Sequence, residues 1–162
     1  MRRGSQAAAQ APLADIACAC ASARQVARLV TQMYDQHLRS SGIEAPQFAL
    51  LMALHKNGPS SQISLGRSYG LDKTTVSRNL KWLERRGWIT SSPAADARQH
   101  QFTLTADGRK QLNLALPHWK KAQAELRSEM GAAHWDAMFR AFQAVTRAAY
   151  TARASARTAP GA

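Results

Sequence analysis

The stretch "YGLDKTTVSRNLKWLERRGW", Tyr69 to Trp88, decides the fold. Asp72 suits the N-cap of a helix, because its carboxylate can accept from the free N–H groups of the first turn. Gly87 supplies the turn that closes it. Between them Val76, Leu80 and Leu83 recur at steps of four and three and make one apolar face. At about 100° per residue, Thr74, Arg78, Lys81 and Arg85 follow one another along a second face, with Thr75 and Ser77 beside it. A face that merely sits in water is usually laced with Glu–Lys pairs one turn apart. Here Glu84 is the one acid among bases and hydroxyls.

Immediately upstream, "SQISLGRSYG" predicts a short helix from about Ser61 to Tyr69, with Gly70 at its C-terminal turn. Ile63, Leu65, Tyr69 and Leu71 are expected to share a small core with Val76, Leu80 and Leu83. Two helices joined by a glycine-containing turn form a helix-turn-helix. Downstream, Trp88–Ser92 and Gln99–Leu104 read as two strands of a hairpin joined by the loop "PAADAR".

Long helices flank this unit. Ile16, Val26, Leu29, Val30, Met33, Tyr34 and Leu38 place a helical stripe over Leu13–Ser40. Pro46 suits the first turn of the next helix, which runs to about Lys56 before Asn57-Gly58-Pro59 stops it. Thr105 and Asp107 open a helix reaching roughly Met130, which Pro117 is expected to kink or to stop for a turn. After Gly131 a last helix, about Ala132–Arg153, carries Trp135, Met138, Phe139, Phe142 and Val145 on one face. The predicted class is therefore mainly α with a small β-hairpin. Residues 1–12 are expected to be a disordered tail, 13–155 one domain and 156–162 a flexible tail. The unit spans 45–104, and the outer helices, 13–40 and 105–155, carry apolar faces best covered by each other and by a second copy.

The chain has 162 residues, 45% of them hydrophobic, with four Trp and a net charge of +12. That balance suggests a polyanionic partner, nucleic acid before an acidic membrane surface. The basic N-terminus is no convincing signal peptide, since Asp15, Gln6, Gln10 and Pro12 break its apolar part. No run is long enough to span a bilayer, so a cytoplasmic protein with two reduced thiols, Cys18 and Cys20, is expected. Scattered histidines leave a Cys-x-Cys metal site without partners, and no cofactor is implied. No nucleophile triad, paired carboxylates or phosphate loop emerges, which argues against an enzyme.

Duplex DNA suits the basic face. Short hydroxyls near a helix start can approach base edges or phosphates, the Arg fork matches guanine O6 and N7, and Lys serves phosphate or guanine. From Lys56 to Lys110 ten Lys/Arg stand against four Asp/Glu. In the hairpin loop Arg98 suits the narrow minor groove, with Asp96 holding its guanidinium. Equally, Asp96 caps the turn and Arg98 sits in solvent.

The ordered set "LDKTTVSRNLKWLERRGWI", "DAR" and "FTLTADG", inside a helix, helix-turn-helix, hairpin and two long helices, resembles the MarR family of bacterial transcription regulators. The similarity runs from about Ala17 to Met130. It implies a winged helix-turn-helix with Thr74, Thr75, Ser77, Arg78 and Lys81 on the recognition helix, and Asp96 and Arg98 as the wing's acidic–x–basic pair. It further implies a homodimer, joined through the first and last helices, on a roughly palindromic operator. The loop "PAADARQHQ" departs from many relatives in having only one basic residue.

The resemblance also implies an effector, a small aromatic ligand or an oxidant. Arg24, Arg28 and His37 could anchor an acidic aromatic ligand; equally they are surface charges. Cys20 precedes "TQMY", Thr31–Tyr34, in a way similar to the hydroperoxide-sensing branch, where a tyrosine like Tyr34 hydrogen-bonds the thiolate. A second tyrosine of that branch is replaced by Arg24, one turn after Cys20, which would favour the thiolate. Were both cysteines helical, Cys18 would point about 200° away from Cys20, which disfavours a bond between them. A disulfide across a dimer, or with a small thiol, is easier. The alternative is that both are small apolar residues of an Ala-rich helix. The competing function is a nucleoid-type DNA protein with little sequence preference.

Overall fold

A computed structural model describes residues 18–93 and 100–158. The elements are α1 (Ala19–Leu38), a 3-10 turn (Arg39–Ser41), α2 (Ala45–Asn57), β1 (Ser60–Ser61), α3 (Gln62–Tyr69) and α4 (Lys73–Arg85). They continue with β2 (Ile89–Pro93), β3 (His100–Leu104), α5 (Ala106–Met130) and α6 (Ala132–Thr158). The chain divides into two compact units, residues 1–119 and 120–162.

The first unit holds a core in which Leu38, Leu50, Leu51, Leu65, Val76, Leu80 and Leu83 are fully buried. Ile43, Phe48, Ala53, Leu54, Ile89, Phe102, Leu104, Leu112 and Ala115 join it, and Trp119 stacks on Phe48 with ring centroids 5.7 Å apart. These side chains come from α1, α2 and the residues just before it, α3, α4, α5 and the sheet, so the helix-turn-helix is fixed by burial on several sides. Leu65 faces inward as expected. Ile63 does not: it is 56% exposed, because two residues of helix turn it about 200° from Leu65. Tyr69, at the end of α3, is also largely exposed.

The expected hairpin is a three-stranded antiparallel sheet in the order β1-β3-β2. Ser60 and Ser61 pair with Phe102 and Gln101, and Ile89 to Pro93 pair in register with Leu104 to His100. Two serines carry no strand signal; β3 supplies the pairing that makes them one. The sheet meets α5 at a tight corner. Thr105 donates its hydroxyl to the Gly87 carbonyl at 2.7 Å and accepts the Gly108 N–H at 3.0 Å. A Cβ on Gly108 would lie 1.9 Å from the Trp88 carbonyl oxygen, so only glycine fits there.

α5 continues as helix through Pro117, so of the two expectations, a kink or a stop for a turn, the stop does not occur. Proline removes one N–H from the ladder, and the turns on either side of it carry the helix across. In the second unit α6 runs five residues beyond the expected end, and Phe139, Phe142, Val145 and Tyr150 are 45–61% exposed. No described helix is long and apolar enough to cross a membrane.

Candidate nucleic-acid interface

The interface is built around α4. Its start is set by Asp72, whose Oδ1 accepts the Thr75 N–H at 2.9 Å and whose Oδ2 accepts the Thr75 hydroxyl at 2.6 Å. These two bonds, the hydroxyl's first, hold the Asp72 carboxyl below its ordinary pKa. Gln62, the first residue of α3, donates to the Lys73 carbonyl at 3.2 Å and ties the two helices at the same end. The turn between them is closed by Gly70 at φ +62° and by the Leu71 N–H, which donates to Gly66. A Cβ on Gly66 would meet the Leu71 carbonyl at 3.1 Å, so the helices approach closely there.

With Val76, Leu80 and Leu83 buried, Thr74, Arg78, Lys81 and Arg85 are left together on the exposed side of α4. Arg78, Lys81 and Arg85 form no ion pair with a described residue. Glu84, the one acid of the helix, is turned to the sheet: Ser91 of β2 donates to its Oε1 at 2.5 Å. The cationic stripe is thus unneutralised from its own helix. Ser77 is half-buried, and so is Thr75, whose hydroxyl hydrogen is committed to Asp72 and whose oxygen remains only an acceptor. Asp96 and Arg98 lie outside the described residues.

Sequence reasoning missed the far end of α4. There Trp82 and Trp88 meet edge-to-face with centroids 5.4 Å apart, and the Arg86 guanidinium lies 4.9 Å from the Trp82 ring and 5.9 Å from that of Trp88. This cluster, with the Ser91–Glu84 bond, joins the end of α4 to the first residues of β2. The spacing Trp-x5-Trp around two arginines was its only signal. Asn79 was missed as well: it is buried and donates to the Thr75 carbonyl at 2.9 Å, within its own helix.

The expected effector residues are not gathered into one site. Arg24 and Arg28 are exposed and border an open hollow on α1. His37 lies nine residues beyond Arg28, about 14 Å along the helix and on its opposite side. Tyr34, half-buried and with its phenol pKa raised by burial, is about 21 Å along the same helix from Cys20, so the two cannot bond within one chain. Cys18 and Cys20 are both exposed free thiols. Cys18 stands at the N-cap with an extended backbone, φ −109° and ψ 106°, so the two cysteines do not share a helix. Among the described residues no group of three or more His, Cys, Asp or Glu could hold a metal ion.

An exposed basic helix with its N-terminus clamped to a preceding short helix, and a small sheet locked to its other end, defines a winged helix-turn-helix protein. The description "MarR family" matches residues 43–100. The Mycobacterium tuberculosis transcriptional regulator MosR, in a crystal structure with DNA, is 35% identical over 84% of this chain and 98% of that one, with a TM-score of 0.74. Reduced AbfR bound to DNA is 27% identical over 82% of this chain and 90% of that one, with a TM-score of 0.66. YwoH of Bacillus subtilis, an uncharacterised HTH-type transcriptional regulator, is 29% identical over 86 residues, which span 53% of this chain and 63% of YwoH. The chain belongs to the MarR family of transcription regulators.

Proposed function

We propose that the protein is a homodimeric, sequence-specific DNA-binding repressor released from a roughly palindromic operator by an effector. One observation carries the reading: the exposed face of Thr74, Arg78, Lys81 and Arg85 on α4, which no described carboxylate neutralises. In this reading α4 enters the major groove, with Arg78 forked onto guanine and Lys81 and Arg85 on guanine or phosphate. Thr74 and Ser77 approach base edges or phosphates near the helix start, and Thr75 offers its oxygen to a donor there. The wing carries Arg98 to the adjoining minor groove, with Asp96 as its partner. MosR and AbfR have both been crystallised on DNA, which supports the same use of the shared fold.

The second copy is supported by uncovered apolar surface. α1 buries only Leu38, and α6 exposes Phe139, Phe142 and Val145. A second copy covers such faces and sets two recognition helices in successive major grooves. It also offers a tyrosine like Tyr34 an approach to Cys20 that their separation along one α1 does not allow.

Release by oxidation at Cys20 is the effector mechanism best supported by residues. The exposed Cys20 sulfur takes one oxygen from an organic hydroperoxide, giving a sulfenic acid and an alcohol; the sulfenic acid then condenses with another thiol and loses water. An acidic aromatic ligand held by Arg24 or Arg28 is the other route.

Binding to the chain's own upstream DNA, compared with random duplex at the same salt, tests the reading. Specific sites gain about 10³ or more, so a ratio below about tenfold would mean a nucleoid-type protein instead. Repeating the measurement with organic hydroperoxide and with aromatic acids, on the wild type and on Cys20→Ser, identifies the effector route. The variant should bind DNA and ignore peroxide.

A further inference from the structure

We propose that a cavity between α1, the 39–41 turn, the start of α2 and Trp82 of α4 binds a small organic cation with an apolar body, and that its occupancy adjusts the DNA-binding face. The regulatory half of this rests on the DNA-binding reading above; the site itself does not. The cavity holds about 740 Å³, and all its lining residues belong to the first unit. That volume is in the range of small-molecule sites, about 300–1,000 Å³.

The charge of the lining sets the ligand class. Asp35 and Glu44 line the cavity together with Arg39, an acidic excess in a chain that as a whole has 22 Lys and Arg against 10 Asp and Glu. Asp35 is held in place, since its Oδ1 accepts the Ala45 N–H at 2.6 Å, and among the described residues its Oδ2 has no partner. Gln47 is also fixed, accepting the Glu44 N–H at 3.0 Å. Trp82 gives the cavity its aromatic wall. The same indole already holds the Arg86 guanidinium at 4.9 Å, so its π system serves as a cation acceptor within the chain. An anion placed here would meet two carboxylates against the single Arg39 guanidinium, and a neutral ring would gain only the indole.

Trp82 also gives the site its route to DNA. It packs against Trp88, which leads directly into β2, and Arg86 bridges the two rings. A ligand that shifts Trp82 shifts the joint between the recognition helix and the sheet.

Benzamidinium, benzamide and benzoate have nearly one shape and charges of plus one, zero and minus one, and they serve as probes. Calorimetric titration of the full chain without DNA, carrying Arg24→Ala and Arg28→Ala so that no anion is held on α1, should show saturable benzamidinium binding, about tenfold tighter than benzamide, with benzoate inert. The Asp35→Asn/Glu44→Gln double variant keeps the acceptor oxygen for Ala45; it should retain the wild-type circular dichroism and lose the preference for the cation. Saturating benzamidinium should alter affinity for the upstream duplex several-fold in the wild type and not in the variant. Benzoate binding as well as benzamidinium, no saturable binding of the cation, unchanged binding by the variant, or an operator affinity indifferent to the cation would each overturn the proposal. Failure of the DNA-binding reading is distinct from these: it would show as no preference for upstream DNA without any probe, alongside an unchanged benzamidinium isotherm.

Discussion

Helices α1 and α4 both carry basic residues one turn apart, and they differ in the fate of their other side. On α4, Val76, Leu80 and Leu83 are at most 1% exposed, so the apolar face is fully used inside the chain. On α1 only Leu38 is buried, and Leu29 is 49% exposed. The lesson is one of elimination. A helix whose apolar side is satisfied at home presents its polar side as a surplus, and unneutralised Arg78, Lys81 and Arg85 then point to an anionic partner. A helix with neither side satisfied needs a cover for its apolar side first, and Arg24 and Arg28 of α1 border that uncovered surface.

The largest expected effect exploits that contrast directly. Leu80→Ala should cost about 2–5 kcal/mol of unfolding free energy, as a buried leucine truncated in a packed core does. Leu29→Ala should cost less than about 1 kcal/mol at low protein concentration, because little of its surface is buried by its own chain. Urea unfolding at two concentrations checks both. If α1 is covered by a second copy, the penalty for Leu29→Ala should grow with concentration. Equal penalties at every concentration would mean that α1 is covered from within, and the contrast would be gone.

A smaller effect separates the two basic faces. Arg78→Ala should weaken binding to the operator by about 1–3 kcal/mol and relax specificity at one position per half-site, if its fork holds a base. Arg28→Ala should change operator affinity by less than about twofold, in keeping with an exposed charge remote from the groove. Competition binding against single-base operator variants is the measurement. Uniform weakening across all sequences would make Arg78 a phosphate contact. Equal losses from both arginines would reduce the interface to net charge.

Much of this was legible in the sequence, for local reasons. Asp72, Gly70, Gly87 and the apolar period of Val76, Leu80 and Leu83 fix α4 through caps and burial, both of which act over a few residues. The short strand at Ser60–Ser61 was not legible, because only its pairing with Gln101 and Phe102 makes it a strand. Nor was the exposure of Ile63, since in a two-turn helix the sequence alone does not say which apolar residue turns inward. Within one chain Arg24 and Arg28 share a side of α1 that His37 does not, because residues nine apart in one helix face opposite ways. The Trp82–Arg86–Trp88 cluster forms only where the helix end meets the sheet, and the cavity beside it needs residues from four elements.

The smallest effect concerns how the recognition helix is started. Asp72 accepts two hydrogen bonds from Thr75, and these hold its carboxyl below the ordinary range in the folded chain. A lowered folded-state pKa means that the ionised form is favoured by folding. Its contribution to stability is therefore fully present above the unfolded-state value and is lost as pH falls through the folded one. Asp72→Asn keeps one acceptor for the Thr75 N–H and removes the charge. The variant should be slightly less stable than the wild type at neutral pH, and the difference should shrink to nothing in acid. Thr75→Val, which deletes the hydroxyl donor, should narrow the same pH dependence while leaving the buried face of α4 intact. A wild-type and Asp72→Asn difference that stays constant from neutral to acid pH would show that charge has no part in starting this helix, and that the clamp acts through neutral hydrogen bonding alone.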